Sequence, residues 1–289
     1  KQMLLEQAEE GEDPIAVMTI WLFTFLEMAE LLIKNSSLGF VKAIIFDKDG
    51  TLSSSEEYLL ELAKTRVDFA VHKFKKLKIN NFKIFLLRKL LNSIYGLKNK
   101  SLSANACLAI ASKEQNIIST ATIFTLFGFD WFKSLSISQT IFKDVDFFLS
   151  NNQENIQKKR TLISGAFDLL VALKSKGVSI ALMTNDTQAG IEEFIYDNKL
   201  EGIFDYLWSA ENKPSKPNPK AVIELCKRMK INPSECALIS DADTDLKMAK
   251  EADVPIIIGF TGGWKNPPTL TEKQFIIEKL NELNIQINT

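Results

Sequence analysis

Val41-Lys-Ala-Ile-Ile-Phe-Asp-Lys-Asp-Gly-Thr-Leu52 joins a short apolar run to an abrupt polar turn, and the fold is read from that junction. Val41 to Phe46 is β-branched and apolar, as a buried strand requires. Asp47-Lys-Asp-Gly50 cannot prolong it and reads as a tight turn. Beyond about Arg160 the same alternation recurs. Ala166–Lys176 is amphipathic and closes at Gly177, followed by a strand over 178–183, a helix over 188–199 and a short strand over 204–208. A helix over 219–230, a strand over 236–240, a helix over 243–252 and a strand over 255–259 complete the series. Alternating units of this length predict an α/β protein with a doubly wound parallel sheet. Ligands of such sheets bind beyond the carboxyl ends of the strands.

Between Ser53 and about Arg160 no buried strand is evident. Ser54 and Ser55 ahead of Glu56 and Glu57 signal a helix start, and helix-like stretches follow, broken near Asn80, Gly96, Gly128 and Asn151. The expected division is a catalytic core formed by 41–53 with 161–289, an all-helical cap over 54–160, and an N-terminal helical extension over 1–40. The run Ile15–Phe25, extended by Leu31, Leu32 and Ile33, is read as a helix packed on a domain or partner. Glu27 and Glu30 argue against a transmembrane span, since each carboxylate near a span centre costs about 2.5–3.5 kcal/mol. Acidic Glu9, Glu10, Glu12 and Asp13 stand where a signal peptide carries basic residues. A first residue Lys1 rather than Met is expected of a chain lacking its native start.

The strand ends concentrate the chemistry. Asp47 and Asp49 follow the first strand, Thr184 and Asn185 the second, Asp241 and Asp245 the strand over 236–240, and Lys216-Pro-Asn-Pro219 precedes a helix. A parallel sheet brings them into one crevice. Carboxylates at that density repel one another and call for a cation; all-oxygen ligation suits Mg²⁺, which commonly accompanies phosphate. Taken singly, an Asp-x-Asp-Gly is usually a turn, a Lys-Pro-x-Pro a linker, and Asp243 or Asp245 a first-turn acid. In order, Asp47-Lys-Asp-Gly-Thr-Leu52, Thr184, Lys216 and Ser240-Asp-x-x-x-Asp245 resemble the four motifs of the haloacid dehalogenase superfamily in its phosphatase form. The insertion resembles the cap of the phosphoglycolate phosphatase-like branch, on a Rossmann-like core.

The resemblance implies a role for each residue. Asp47 would attack phosphorus and form an aspartyl-phosphate. Asp49 would protonate the leaving group and then activate water, its backbone carbonyl also serving the metal. Thr184, Asn185 and Lys216 would hold the phosphate. Asp47, Asp49, Asp241 and Asp245 would hold or support Mg²⁺. Lys213 is a rival to Lys216, and Asp243 a weaker rival for the metal. Ser240 stands where the fourth motif usually has Gly, and Lys48 is expected to point away from the nucleophile.

Composition fits this reading. Of 289 residues, 35 Lys and Arg face 36 Asp and Glu, so no global field marks a polyanion binder, and nucleic acid is not an expected partner. A lone His72 rules out multi-His metal sites, and three scattered cysteines fit a reducing, cytoplasmic setting. The expected activity is Mg²⁺-dependent hydrolysis of a small phosphorylated metabolite, with a sugar-phosphate mutase or a non-catalytic partner-binding protein as alternatives. From Lys64 to Lys100 eleven Lys and Arg residues are opposed only by Asp68. They read either as a solvated face or, in part, as recognition of a second anionic group on the substrate. Oligomeric state is not read from the sequence.

Overall fold

The structure, a computed structural model, describes residues 28–99, 101–151 and 160–287. Chain order begins with β1 (Ala29–Ile33) and β2 (Ser36–Val41), then β3 (Ala43–Phe46) and β4 (Ser53–Ser54). Next come α1 (Glu56–Lys76), α2 (Asn81–Ile94), the short pair β5 (Leu97–Lys98) and β6 (Ser101–Leu102), α3 (Cys107–Ile110), α4 (Lys113–Thr125) and α5 (Trp131–Ser150). The chain returns through β7 (Thr161–Leu162), α6 (Ala166–Ser175), β8 (Ser179–Met183), α7 (Gln188–Asp197) and β9 (Tyr206–Trp208). It ends with α8 (Pro219–Met229), β10 (Cys236–Ser240), α9 (Asp243–Glu251), β11 (Ile256–Phe260), β12 (Phe275–Ile277) and β13 (Leu283–Ile287).

The main sheet is parallel in the order β12-β11-β10-β3-β8-β9. The two-residue period of a strand divides β3 between two cores. Ile44 and Phe46 pack with α6 and α7, through Leu170, Leu173, Ile191 and Phe194. Ala43 and Ile45 pack with α8 and α9, through Val222, Leu225, Leu246 and Ala249. Helices thus cover both faces of the sheet, and β3, flanked by β8 and β10, sits where the winding reverses.

β4 and β7 pair antiparallel, Ser53 with Leu162 and Ser54 with Thr161, and form the stem on which the inserted helices stand. The insertion has its own core, including Phe74, Leu87, Tyr95 and Phe124. The Phe74 ring centroid lies 5.1 Å from that of Phe124 and 5.6 and 5.4 Å from those of Phe127 and Phe129. Among the described residues, the regular structure between β4 and β7 is helical apart from the β5–β6 ribbon. Local capping explains its breaks: Asn80, Ser112 and Asp130 accept the Lys83, Gln115 and Lys133 N–H groups.

The helical extension expected over 1–40 is not what residues 29–41 form. Leu31, Leu32 and Ile33 belong to β1, which pairs antiparallel with both β2 and β13. The turn between β1 and β2 places Lys34 at φ 49° and Asn35 at φ 69°, which suits a hairpin and not a helix. Leu31 is fully buried beside Ile285 and Ile256 in the core shared with α6. The run Ile15–Phe25 lies outside the described residues. No described helix is long and apolar enough to cross a membrane.

Leu31→Ala is expected to lower the unfolding free energy by about 2–5 kcal/mol in urea titrations, as a buried leucine should. A residue on a peripheral helix would change it by about 0.5 kcal/mol or less.

Candidate active site

Three parallel strands, β3, β8 and β10, deliver their carboxyl ends to one place. Asp47 follows Phe46, and its N–H donates to the Ile239 carbonyl of β10. Thr184 follows β8, its N–H bound to the Trp208 carbonyl of β9. Lys216, from the loop before α8, reaches in from the side. Its ammonium lies 2.6 Å from Asp47 Oδ1, 2.5 Å from Asp245 Oδ2 and 3.1 Å from the Met183 carbonyl. Three protons thereby meet three acceptors. Burial works against the charge on Lys216, but Asp245 and Asp47 outweigh it and raise its pKa. Lys213 stays at the surface, bonded to the Ala210 carbonyl.

The carboxylates are sorted by their partners. Burial pushes Asp47 up to about 6; Lys216 opposes this, while Asp245 and Asp49 add to it. Asp245 also accepts the Ser240 hydroxyl at 2.9 Å, so the serine at a position usually glycine holds a site carboxylate in place. Asp241 is buried and takes two donors, the Thr51 hydroxyl at 3.1 Å and the Trp264 indole N–H at 2.5 Å. Gly50, at φ +83°, passes so close that a Cβ there would lie 2.3 Å from Asp241 Oδ2. Burial lifts Asp241 well above the ordinary carboxylate range, and the charge of Asp47 lifts it further against the Trp264 bond. Asp243, the weaker rival, is bound by the Thr271 and Glu272 N–H groups.

Asp47, Asp49, Asp241 and Asp245 were expected to gather around one cation. Among the described residues no three carboxylate, His or Cys side chains close into a metal-holding group. The reason is ionic. Lys216 holds Asp245 together with Asp47, while Asp49 accepts the Ser55 hydroxyl and lies 2.9 Å from Lys48 Nζ. Asp241 is left under the charge of Asp47, with positive charge in short supply. A carboxylate oxygen has two acceptor positions, so the Thr51 and Trp264 bonds leave Asp241 room for a further ligand. That oxygen-only surplus fits a hard cation such as Mg²⁺.

Several participants escaped the sequence reading. Lys48 is fully buried and turns to Asp49 and to Asp186, 2.7 Å away. Burial disfavours ionised Asp186, but Lys48 and Arg160 outweigh it and hold its pKa at about 2. Ser55 stands at the N-cap of α1, yet its hydroxyl donates to Asp49 and caps nothing. Thr51 and Ser55 were visible in the quoted turn and its sequel; Trp264, just past the end of β11, had only that position as a signal.

A cavity of about 360 Å³ opens above these groups, between the strand ends and the inserted helices. Asp47, Asp49, Thr184 and Lys216 line it from below, and Leu62, Arg66 and Asn116 from the helices. Thr184 is buried, its oxygen accepting the Asp186 N–H at 3.1 Å, which leaves the hydroxyl proton to donate. Asn185 spans the two layers: its amide donates to the Ile110 carbonyl at 2.9 Å, while its Oδ1 is buried with no partner among the described residues.

Comparison with known proteins converges on one family. The model of the haloacid dehalogenase-like hydrolases matches residues 41–253. A phosphoglycolate phosphatase of Colwellia psychrerythraea is 23% identical over 250 residues, which is 85% of this chain and 96% of that one. Phosphoglycolate phosphatase 1 of Pseudomonas aeruginosa is 28% identical over 122 residues, 41% of this chain and 44% of that one. Among solved structures, one described as a predicted phosphoglycolate phosphatase from Haemophilus somnus superposes with a TM-score of 0.57 at 19% identity, covering 83% of this chain and 95% of that one. A haloacid dehalogenase-like family protein of Streptococcus pneumoniae gives 0.52 at 15% identity, covering 84% and 96%. These two likenesses bear on the fold.

Lys216→Met should destabilise the protein by about 3–5 kcal/mol, because Asp47 and Asp245 lose their buried counter-charge. Asp47, already raised by burial, then rises further, so the folded state holds a proton that the unfolded chain releases. Stability of the variant should therefore fall as pH rises, with a larger deficit at pH 8 than at pH 5.5 in chelator-containing urea titrations. A deficit independent of pH would mean that lost packing, not lost charge, dominates.

Proposed function

The chain belongs to the haloacid dehalogenase-like hydrolases, and we propose that it is a Mg²⁺-dependent phosphatase for a small phosphorylated metabolite of the phosphoglycolate class. The observation that carries the reading is the fixed pairing of Asp47 with Lys216 at 2.6 Å, at a strand end that opens into a cavity of metabolite size. Lys216 engages Asp47 Oδ1 and so leaves Oδ2 as the attacking atom. That oxygen forms a bond to phosphorus as the ester oxygen leaves, giving an aspartyl-phosphate on Asp47.

Asp49, two residues on, supplies the leaving oxygen with a proton and afterwards takes one from the water that cleaves the acyl phosphate. Ser55 and Lys48 fix its carboxylate for this exchange. The Thr184 hydroxyl and the backbone N–H groups after β3 are the donors for the equatorial phosphate oxygens, while the Lys216 ammonium, its protons held by Asp47, Asp245 and the Met183 carbonyl, offsets the charge that builds there. Asn185 gives one amide proton to the Ile110 carbonyl and keeps its second for phosphate. Asp47, Asp241 and the Asp49 carbonyl would hold Mg²⁺; when bound, the ion offsets the repulsion between phosphate and carboxylate. The Thr51 and Trp264 bonds keep Asp241 oriented for that task.

p-Nitrophenyl phosphate should be hydrolysed in the presence of Mg²⁺, with activity lost on chelation and restored by Mg²⁺ without zinc. Full turnover after exhaustive chelation would overturn the metal assignment.

Asp47→Asn should lower turnover by about 10³-fold or more, since an amide cannot serve as the nucleophile. Asp49→Asn should cost about 10²–10⁴-fold through proton transfer. Trapping of phosphate on a residue other than Asp47, by quench and peptide mapping, would sink the covalent route.

A further inference from the structure

We propose that Arg66 is the receptor for a second anionic group, a carboxylate or second phosphate, on the substrate that Asp47 dephosphorylates. The inference rests on the phosphatase reading and adds the substrate's other end.

The basic run Lys64–Lys100 is the starting point. Of its described residues, Arg66 is the one that lines the cavity. Arg88 pairs in solvent with Asp68 at 2.8 Å, and Lys89 lies over the ring of Phe85. Arg66 sits on α1 at 5% exposure, its guanidinium 3.9 Å above the Phe142 ring. Stacking fixes the plane of the fork and leaves its edge as the binding surface.

That edge has no partner among the described residues: Arg66 Nε is buried with no acceptor there, and no described carboxylate lies within ion-pairing distance of the guanidinium. The other cations around the cavity each face a carboxylate: Lys216 meets Asp47 and Asp245, Lys113 meets Asp146, and Arg160 meets Glu193 at 3.5 Å, although the Arg160 Nε, like that of Arg66, is buried without a partner among the described residues. Asp146 is near enough for its charge to act on Arg66, but its carboxylate is committed to Lys113. A buried guanidinium stays ionised, and without a counter-ion it is a net cost to the fold. A carboxylate or phosphate on a ligand would supply both the missing charge and acceptors matching the fork.

The geometry separates phosphoryl chemistry, on the strand ends, from this cation on the opposing helices of the same cavity. A substrate with anions at both ends bridges the two layers, whereas an aryl phosphate engages only one.

The experiment compares kcat/KM for phosphoglycolate, for a sugar bisphosphate, and for ethyl and p-nitrophenyl phosphate, which lack a second anion. Wild-type protein should prefer at least one of the first two over ethyl phosphate. Arg66→Met should lower kcat/KM for that preferred substrate about 100-fold and change the two simple esters by less than about threefold. Arg66→Lys should recover part of the loss, chiefly in KM. Equal losses on every substrate, with unchanged circular dichroism and urea midpoint, would assign Arg66 to structure and overturn the proposal. So would the absence of any wild-type preference for a second anion. If Arg66→Met does not fold, Arg66→Lys and the wild-type panel still decide. Failure to turn over p-nitrophenyl phosphate with Mg²⁺ would instead count against the phosphatase reading. Calorimetry on the Asp47→Asn background then isolates Arg66: phosphoglycolate should lose affinity on Arg66→Met while inorganic phosphate does not, and equal changes for both ligands would overturn the proposal.

Discussion

Lys216 is the charge on which the site is balanced. Three carboxylates, Asp47, Asp241 and Asp245, are carried to the end of a buried sheet, where Coulomb repulsion in a poorly solvated setting is severe. One ammonium bridging Asp47 and Asp245 satisfies two of them and anchors itself on a β8 carbonyl. Asp241 is handled differently, by neutral donors from Thr51 and Trp264. A neutral donor stabilises a carboxylate without cancelling its charge. The site therefore keeps one carboxylate poised for a cation while the others are already compensated.

This division was only partly legible in the sequence. The strands after residue 160 and the order of acidic strand ends could be read, because buried parallel strands are short apolar runs and the residues that break them are chemically distinctive. β1 was misread as helix, since its apolar residues adjoin another apolar run and a strand paired on both sides shows no clean alternation. Only a 3-10 turn, Leu280–Glu282, lies between β12 and β13, so the pair fell outside the alternating pattern. The use made of Ser55 and Trp264 was hidden for another reason. A serine before a helix normally caps it, and a tryptophan normally packs; here each donates a hydrogen bond to a site carboxylate from a distant stretch of chain. Lys48 is expected only to point away from the nucleophile, and what that reading leaves out is its burial between Asp49 and Asp186.

The inserted helices show how charge density and charge placement differ. The basic run decorates α1 and α2, and ion pairing in solvent, as between Arg88 and Asp68, contributes little to stability. Arg66 carries the same formal charge at a position where water cannot screen it. Its consequence is set by burial, not by its membership of the run. The Asn185 bond to Ile110 ties the same helical layer back to the strand ends, so the two halves of the cavity share a direct polar contact.

The position of β3 has a consequence for biosynthesis. Ile44 pairs with Ile180 on one side, and Ile45 pairs with Leu238 on the other. Both neighbours leave the ribosome long after β3 itself. The helical insertion is continuous in sequence and carries its own core, so it can close while β3 still exposes unpaired backbone and bare isoleucines. Asp47 therefore spends most of translation beside an open strand edge, and it gains Lys216 and Asp245 only once nearly the whole polypeptide has been made. A nascent chain stalled before β10 would hold a finished cap above an unfinished centre, and the exposed strand would be the segment most in need of a chaperone.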